Sequence, residues 1–164
     1  MAKNGIAIDI PGFGSRQIYT MLTDYTGTLA RSGRLEVAVR EHLARLSESL
    51  DIHVITSDTF GLAEGELQGL SVNCQRLEGE RHDLRKEEYG KRFGLQHCVV
   101  LGNGNNDRLL LKAAKEAGGL AIAVDNGEGC ATEALLNANL FIVGAVNALA
   151  LLLEPRACKA SLRF

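Results

Sequence analysis

Short apolar segments alternate with helix-like segments along most of the chain. Strand-like runs are predicted at residues 16–23, 51–56, 70–77, 98–101, 120–124 and 140–143, and helices at 35–50, 59–69, 86–93, 106–117, 131–137 and 145–153. Such alternation predicts an α/β fold with a doubly wound, Rossmann-like, mostly parallel sheet and helices on both faces. An N-terminal β-hairpin is predicted from residues 6–10 and 16–23 around the turn 11–14, packed on its own sheet. Residues 78–83 are expected to form a loop, and Pro155 is expected to stop the last helix.

Length and composition exclude several classes of protein. The 164 residues suit one domain, 1–164. A net charge of -2, with acids and bases interspersed, argues against a nucleic-acid or anionic-membrane surface. The longest apolar stretches, 120–124 and 140–153, are too short or too interrupted for a membrane helix, and the first residues have no apolar signal segment, so a cytoplasmic location is expected. Four separated cysteines without a C-x-x-C pair indicate neither a zinc site nor a disulfide framework.

One aspartate stands at the end of an apolar run and just before a small-residue turn. Asp24 follows the segment Thr-Met-Leu-Thr, and after Tyr25 the chain reads Thr26-Gly27-Thr28. A strand would hold the carboxylate rigidly at the sheet edge, and Gly27 would let a phosphate approach the backbone. A carboxylate so placed can attack phosphorus and form an acyl phosphate.

Three further polar segments are expected at the same edge of the sheet as Asp24. This is the edge beyond the strand C-termini, where ligands of parallel sheets bind. Thr56 and Ser57 stand at the end of an apolar strand and could donate to a phosphate, although hydroxyl residues there more often cap a helix or form a turn. Lys86 could pair with the nucleophile, but Arg85 and Lys91 are close alternatives, and a solvated helix face explains all three equally well. Residues 101–107, Leu-Gly-Asn-Gly-Asn-Asn-Asp, lead from a strand into a helix, and Asp107 could reach Mg²⁺; a capped loop is the plainer interpretation of that segment alone.

Read together, these segments resemble the four motifs of the haloacid dehalogenase-like superfamily, in the soluble branch that is similar to P-type ATPases. The resemblance covers nearly the whole chain, and its specific motifs are Asp24-Tyr25-Thr26-Gly27-Thr28 and residues 102–107. It implies a Mg²⁺-dependent phosphohydrolase acting on phosphomonoesters through an aspartyl phosphate on Asp24. The residues it implies are Asp24, Thr26, Thr56 and Lys86 for catalysis; Thr56, Ser57, Gly27, Lys86 and Asn106 for phosphate; and Asp24, Thr26, Asp107 and Asn103 for the metal.

Two departures from the family pattern bear on activity. Thr26 stands where many superfamily phosphatases carry a second aspartate, the general acid and base, so slow hydrolysis is expected. Asn103 replaces the usual first aspartate of the fourth motif and removes a charge from the metal site. An alternative function is therefore a phosphate- or metal-binding regulatory module with weakened catalysis, and a weaker third is a structural subunit.

The spacing of the motifs leaves no room for a large cap domain, so an open site is expected. The expected partner is a phosphorylated substrate whose identity the sequence does not give. No nucleic acid or membrane partner is expected, and homo-oligomer formation is left open.

Overall fold

The computed structural model describes residues 2–58 and 61–164 and contains a six-stranded parallel sheet and a two-stranded antiparallel hairpin. The strands are β1 (Ile6–Ile10), β2 (Gly14–Ile18), β3 (Thr20–Thr23), β4 (Asp51–Thr56), β5 (Asn73–Arg76), β6 (Cys98–Gly102), β7 (Leu120–Asp125) and β8 (Leu140–Val143). The helices are α1 (Val37–Leu46), α2 (Leu62–Leu67), α3 (His82–Lys91), α4 (Arg108–Ala117), α5 (Thr132–Leu136), α6 (Ala145–Leu153) and α7 (Pro155–Leu162). Single 3₁₀ turns form at Leu95–His97 and Asn105–Asp107.

The large sheet has the order β5-β4-β3-β6-β7-β8, so the predicted doubly wound α/β fold is confirmed. The chain moves outward from β3 to β5, and then returns to start β6 on the other side of β3. This reversal makes the crevice beyond the ends of β3 and β6 a topological switch point, where ligands of such sheets bind.

Two hydrophobic clusters cover the two faces of the sheet. On one face, α1, α2, α6 and α7 pack against strand residues such as Met21 and Val54. On the other face, α4 and α5 pack against the next residues along the same strands, such as Leu22 and Ile55. The central strand β6 is buried along its whole length, as a strand covered on both faces must be. Both layers therefore hold β3 and β6, the strands that lead to the switch point, in fixed positions.

The predicted N-terminal hairpin is confirmed, but residues 16–23 are not one strand. The chain leaves the hairpin after Ile18, and β3 begins at Thr20 in the other sheet. Tyr19 lies between them, donates its N–H to the carbonyl of His97 and accepts from Asp51 at its own carbonyl, at the amino-terminal edge of the parallel sheet. The hairpin therefore lies at the edge opposite the switch point and packs against α7.

Other element boundaries also differ from the expectations. Helix α3 begins inside the predicted loop, since Asp83 lies in its first turn and bonds Arg81 and Arg108. Pro155 ends α6 as expected but also opens α7, because proline is favoured at the first position of a helix. The predicted helix 59–69 is α2 alone, and Thr59 and Phe60 lie outside the described residues.

The parts of the chain that the structure describes contain no inserted cap domain, which agrees with the sequence. In those same parts, no helix combines the length and the apolar character needed to cross a membrane.

Candidate active site

Asp24 lies at the switch point, immediately after β3. Its backbone N–H donates to the carbonyl of Leu101 on β6 at 3.1 Å, which continues the ladder by one residue and fixes the carboxylate between the two strands. The side chain borders a cavity of about 410 Å³, while the residue as a whole is only 8% exposed. A rigid, nearly buried carboxylate facing a cavity is therefore present at the position that the sequence indicated.

The turn after Asp24 is built around a buried tyrosine. The carbonyl of Tyr25 accepts the N–H groups of Thr28, Leu29 and Ala30, and its hydroxyl donates to the carbonyl of Gly33 at 2.7 Å. These bonds fold the chain back and leave Thr26 exposed at the cavity rim. Gly27 has a positive φ of 75°, and a β-carbon there would meet the Asn103 amide nitrogen at 2.4 Å, so the turn requires glycine.

A buried lysine joins the nucleophile candidate to the loop after β6. Lys86 Nζ donates to Asp24 Oδ1 at 2.9 Å and to Asp107 Oδ1 at 2.7 Å. Lys86 is 1% exposed and Asp107 is 2% exposed, so both lie behind Asp24 as seen from the cavity. Arg85 and Lys91, the alternatives to Lys86, are exposed and bond the Glu80 carbonyl and Glu87 instead.

The electrostatics of this group follow from burial and from the three charges. Burial, with a further contribution from the Asp107 carboxylate, raises the pKa of Asp24 to about 6, although Lys86 favours the ionised form. Burial alone would lower the pKa of Lys86, but the carboxylates of Asp107 and Asp24 outweigh it and raise the pKa above its ordinary value. Lys86 is therefore a permanent ammonium at neutral pH, bonded to two carboxyl groups.

The loop after β6 is shaped by the second carboxylate, Asp107. Its Oδ2 accepts the backbone N–H groups of Asn103 and Gly104, both at 3.0 Å. Gly102 at the end of the strand lies so close that a β-carbon would meet the Asp107 side chain at 2.5 Å. Asp107 thus holds the loop and Lys86 at once, and one lone pair of Oδ1 remains after its bond to the ammonium.

Asn103 faces two neighbouring loops with its side chain. Its Oδ1 accepts from Thr28 Oγ1 at 3.0 Å, and its Nδ2 donates to the carbonyl of Gly129 at 3.3 Å. The residue borders the cavity. Its amide joins the loop after β7 to residues 24–36, which we call the nucleophile loop because they include the nucleophile candidate Asp24.

Hydroxyl and amide groups complete the cavity wall. Thr56 ends β4, is buried, and accepts the N–H of Asp58 at its Oγ1, which leaves its own hydroxyl hydrogen available to an acceptor. Ser57 and Asn106 also border the cavity. The structure therefore brings the sequence-predicted residues to one edge: Asp24, Thr26, Thr56, Ser57, Asn103 and Asn106 on the cavity wall, with Lys86 and Asp107 beneath and Gly27 beside Asn103.

Three residues of this region were not singled out from the sequence. Asp58 borders the cavity directly after Thr56 and Ser57, and its Oδ2 accepts the N–H of Ala63. Asn126 and Glu128, in the loop after β7, bond the nucleophile loop at the carbonyl of Leu29 and the N–H of Ser32. The position of Asp58 after a predicted strand was a usable signal, because every such strand end reaches this edge.

Asp24 and Asp107 are two carboxylates of this site that could hold a metal ion. In residues 2–58 and 61–164, no group of three or more His, Cys, Asp or Glu side chains has the arrangement of a metal centre. Two carboxylates, with Thr26 on the same cavity wall as Asp24, offer the oxygen ligands that a hard divalent cation prefers.

Comparison with known proteins identifies the fold. The phosphatase for 3-deoxy-D-manno-octulosonate 8-phosphate from Moraxella catarrhalis, solved with magnesium, phosphate and the sugar acid, aligns with a TM-score of 0.63 over 89% of this chain and 94% of that one, at 15% identity. The cobalt-bound enzyme from Haemophilus influenzae aligns with a TM-score of 0.65 over 87% and 91%, at 12% identity. A putative haloacid dehalogenase superfamily hydrolase from Legionella pneumophila aligns with a TM-score of 0.67 over 88% and 87%, at 14% identity.

A sequence relative is found in an archaeon. An uncharacterized protein of Methanocaldococcus jannaschii is 36% identical over 81 residues, which are 49% of this chain and 77% of that protein. No protein-family model matches the chain.

Proposed function

This chain belongs to the same family as the Methanocaldococcus jannaschii protein and has the haloacid dehalogenase-like fold, and from that premise we propose that it is a Mg²⁺-dependent phosphomonoester phosphatase. The observation that carries the proposal is the buried Lys86 ammonium, bonded to Asp24 and Asp107 beneath a cavity at the switch point. A structural ion pair would not need a cavity bordered by hydroxyl and amide groups. We also propose that residues 1–164 form a single domain, that the protein is cytoplasmic and that it belongs to the P-type ATPase-like branch.

In the first step, an Asp24 carboxylate oxygen attacks the phosphorus of the ester. The new bond joins that oxygen to phosphorus, the phosphorus–alkoxide bond breaks, and the alcohol leaves with a proton from solvent. Lys86 has three N–H donors and uses two on carboxylates, so the third is available to a phosphoryl oxygen. Such preorganised positive charge is the main source of rate enhancement in phosphoryl transfer.

The cavity wall supplies the remaining phosphate contacts in this proposal. Thr56 offers its hydroxyl hydrogen, because Asp58 already donates to its oxygen. Ser57 and Asn106 border the same space, and Gly27 keeps the backbone of the turn free of a side chain. In the second step, water attacks the aspartyl phosphate, which releases inorganic phosphate and restores Asp24.

Mg²⁺ would be held by the Asp24 carboxylate and the Thr26 carbonyl, with Asp107 and Asn103 reached directly or through water. Bound there, it would neutralise charge on the phosphoryl oxygens. The magnesium and cobalt ions of the two octulosonate phosphatases with this fold support the choice of a divalent cation. The remaining lone pair of Asp107 Oδ1 is compatible with a role in holding the metal.

Hydrolysis of the intermediate is proposed to be slow. The residue two positions after Asp24 is Thr26, which supplies no carboxylate to activate water. A second candidate function, a phosphate- or metal-binding regulatory module, draws on the same residue and on Asn103, whose amide is bonded to Thr28 and Gly129.

The deciding experiment is hydrolysis of phenyl phosphate with and without Mg²⁺ by the wild type, Asp24→Asn and Asp9→Asn. Asp9 lies in the hairpin at the opposite edge of the sheet, so its variant controls for the loss of one carboxylate. Turnover that needs Mg²⁺, survives Asp9→Asn and disappears in a folded Asp24→Asn protein is the expected result. Absence of turnover, with a Mg²⁺-dependent phosphoenzyme at Asp24 also absent, would favour the binding module.

A further inference from the structure

A second cavity, which we call the arginine cleft, lies between the end of β5 and the outer surface of α3. Its volume is about 410 Å³, and its walls include the side chains of Arg76, Arg85 and Arg92 together with Tyr89. Edge strand β5 contributes Arg76, its last residue. Arg85 is exposed on α3, and Arg92, also exposed, directly follows that helix. Three guanidinium groups therefore surround one hollow that the proposed chemistry does not use.

These three arginines lack carboxylate partners among the residues that the structure describes. Arg85 Nε donates to the carbonyl of Glu80 at 2.9 Å, and Arg92 stacks over the Tyr89 ring at 5.1 Å. The Arg76 guanidinium has neither a hydrogen bond nor an ion pair within residues 2–58 and 61–164. Arg108 and Arg156, by comparison, use guanidinium donors on the carboxylates of Asp83 and Glu154.

Two glutamates border the cleft, but they form no ion pairs with its arginines among the described residues. Glu78 and Glu88 are exposed, and neither lies within ion-pair distance of a described lysine or arginine. Three positive and two negative side chains leave the hollow with an excess positive charge and with unused N–H donors. Guanidinium groups present paired donors that match carboxylate and phosphate oxygens, which makes the cleft suited to an anionic group.

The arginine cleft lies beside the candidate active site, and Arg76 borders both the cleft and a small hollow next to that site. Arg76 lies in register with Thr56 on the neighbouring strand, and a small hollow between β5 and α2 is bordered by Arg76, Thr56 and Asp58. Thr56 and Asp58 also border the cavity of Asp24. Since β3, β4 and β5 are consecutive strands, Arg76 lies two strand spacings, roughly 10 Å, to the side of Asp24.

We propose that the arginine cleft binds a second anionic group of the substrate, so that the substrate class is a small phosphomonoester with another phosphate or a carboxylate roughly 10 Å from its ester phosphorus. This inference rests on the proposed function, since it requires the ester to occupy the cavity of Asp24. Of the three arginines, Arg76 is placed nearest to the candidate active site by its register with Thr56, and Arg85 and Arg92 would complete the binding of the second anionic group.

Binding of non-hydrolysable probes tests the cleft independently of turnover. Hexane-1,6-bisphosphonate and 7-phosphonoheptanoate carry the second group, as phosphonate or carboxylate, and hexylphosphonate lacks it. Calorimetry with Mg²⁺ at fixed ionic strength should show at least one two-group probe binding about tenfold or more tightly than hexylphosphonate. The probe that binds more tightly shows whether the cleft prefers a phosphonate or a carboxylate.

Arginine variants assign that difference to the cleft. Arg85→Gln/Arg92→Gln, and separately Arg76→Gln, should bring the two-group probe to the affinity of hexylphosphonate. The control is Arg45→Gln, which removes the same charge from an exposed position on α1, a helix on the opposite face of the sheet, and should leave the difference intact.

The outcomes separate this inference from the phosphatase proposal. Equal affinity of all three probes for the wild type, or a difference that persists in the arginine variants, overturns the cleft inference whether or not phenyl phosphate is hydrolysed. If the affinity difference between the probes depends on the arginines but the protein shows no Mg²⁺-dependent turnover, the anion site is supported and the phosphatase proposal is rejected.

Discussion

Thr28 and Asn103 are 75 positions apart and are joined by a hydrogen bond of 3.0 Å from Thr28 Oγ1 to Asn103 Oδ1. The other end of the Asn103 amide donates to the carbonyl of Gly129. A single side chain thus bridges the loops after β3 and β7 from the loop after β6. An amide can do this because it offers an acceptor and a donor together, whereas a carboxylate offers two acceptors.

The first prediction is that Asn103→Asp destabilises the protein at neutral pH in the absence of Mg²⁺. The substituted oxygen would face the Gly129 carbonyl, so this exposed hydrogen bond is lost, at a cost of about 0.5 to 1.5 kcal/mol. Urea unfolding measures the change. Asn105→Asp, an equal charge change at an exposed position of the same loop, is the control, and equal stability of the two variants would contradict the bridging role of the amide.

The second prediction concerns the buried ammonium. Lys86→Met keeps most of the side-chain volume but leaves the Asp24 and Asp107 carboxylates without their common partner, and loss of one member of a buried ion pair costs about 3 to 5 kcal/mol. Turnover of phenyl phosphate should be lost as well, since the proposed phosphoryl contact is removed.

Lys91→Met is the matched control on the same helix, because Lys91 is exposed and forms an ion pair with Glu87 at the surface. Denaturant unfolding at pH 7 should separate the two variants by several kcal/mol. Adding Asp107→Asn to Lys86→Met should restore part of the stability; a double variant no more stable than the single one would show that repulsion between the carboxylates is not the cause.

The sequence was informative at the ends of three predicted strands. Asp24 and residues 103–107 follow predicted parallel strands, and Thr56 ends another. Because such strand ends meet at one edge, the proximity of these residues could be predicted without knowing the helix packing. Lys86 was harder to predict because it reaches the site from a helix, and its choice over Arg85 depended on the family resemblance.

The remaining differences arise from contacts that no local pattern encodes. The break at Tyr19 interrupts a continuous strand-like pattern, and only pairing with distant segments decides that β2 and β3 belong to different sheets. Asn126 and Glu128 support the nucleophile loop across nearly 100 positions, with no motif to mark them. Pro155 could be read as a helix stop or a helix start, and it is both.

The third prediction is a pH dependence that comes from Asp83. This buried carboxylate bonds Arg81 and, at 2.9 Å, Arg108, so it links α3, which carries Lys86, to α4, which follows Asp107. Hydrogen bonding from Arg81, helped by Arg108, lowers the pKa of Asp83 to about 2. A lowered folded-state pKa means that the stabilisation is complete above the ordinary carboxyl pKa, about 4, and is lost as the pH falls towards 2.

The measurement is the difference in unfolding free energy between the wild type and Asp83→Asn at several pH values. The wild type should be more stable from pH 7 to pH 5, and the difference should shrink steadily below pH 4. Glu116→Gln, which removes an exposed carboxylate from α4, should show no such trend. A difference that stays constant down to pH 3 would contradict the assignment to Asp83.

The fourth prediction is that Thr26→Asp raises the turnover of phenyl phosphate. Thr26 is the exposed residue of an otherwise buried turn and lies at the rim of the cavity, so a carboxylate fits there without desolvation. The carboxyl group that this substitution introduces could protonate the leaving alcohol and then activate water. Such acid–base catalysis typically raises a reaction rate by about 10² to 10⁴-fold. Thr26→Asn, with the same shape but no acid, should leave the rate near that of the wild type. Steady-state kinetics with Mg²⁺ measures the effect, and a Thr26→Asp rate equal to that of Thr26→Asn would show that acid–base help at this position does not limit hydrolysis.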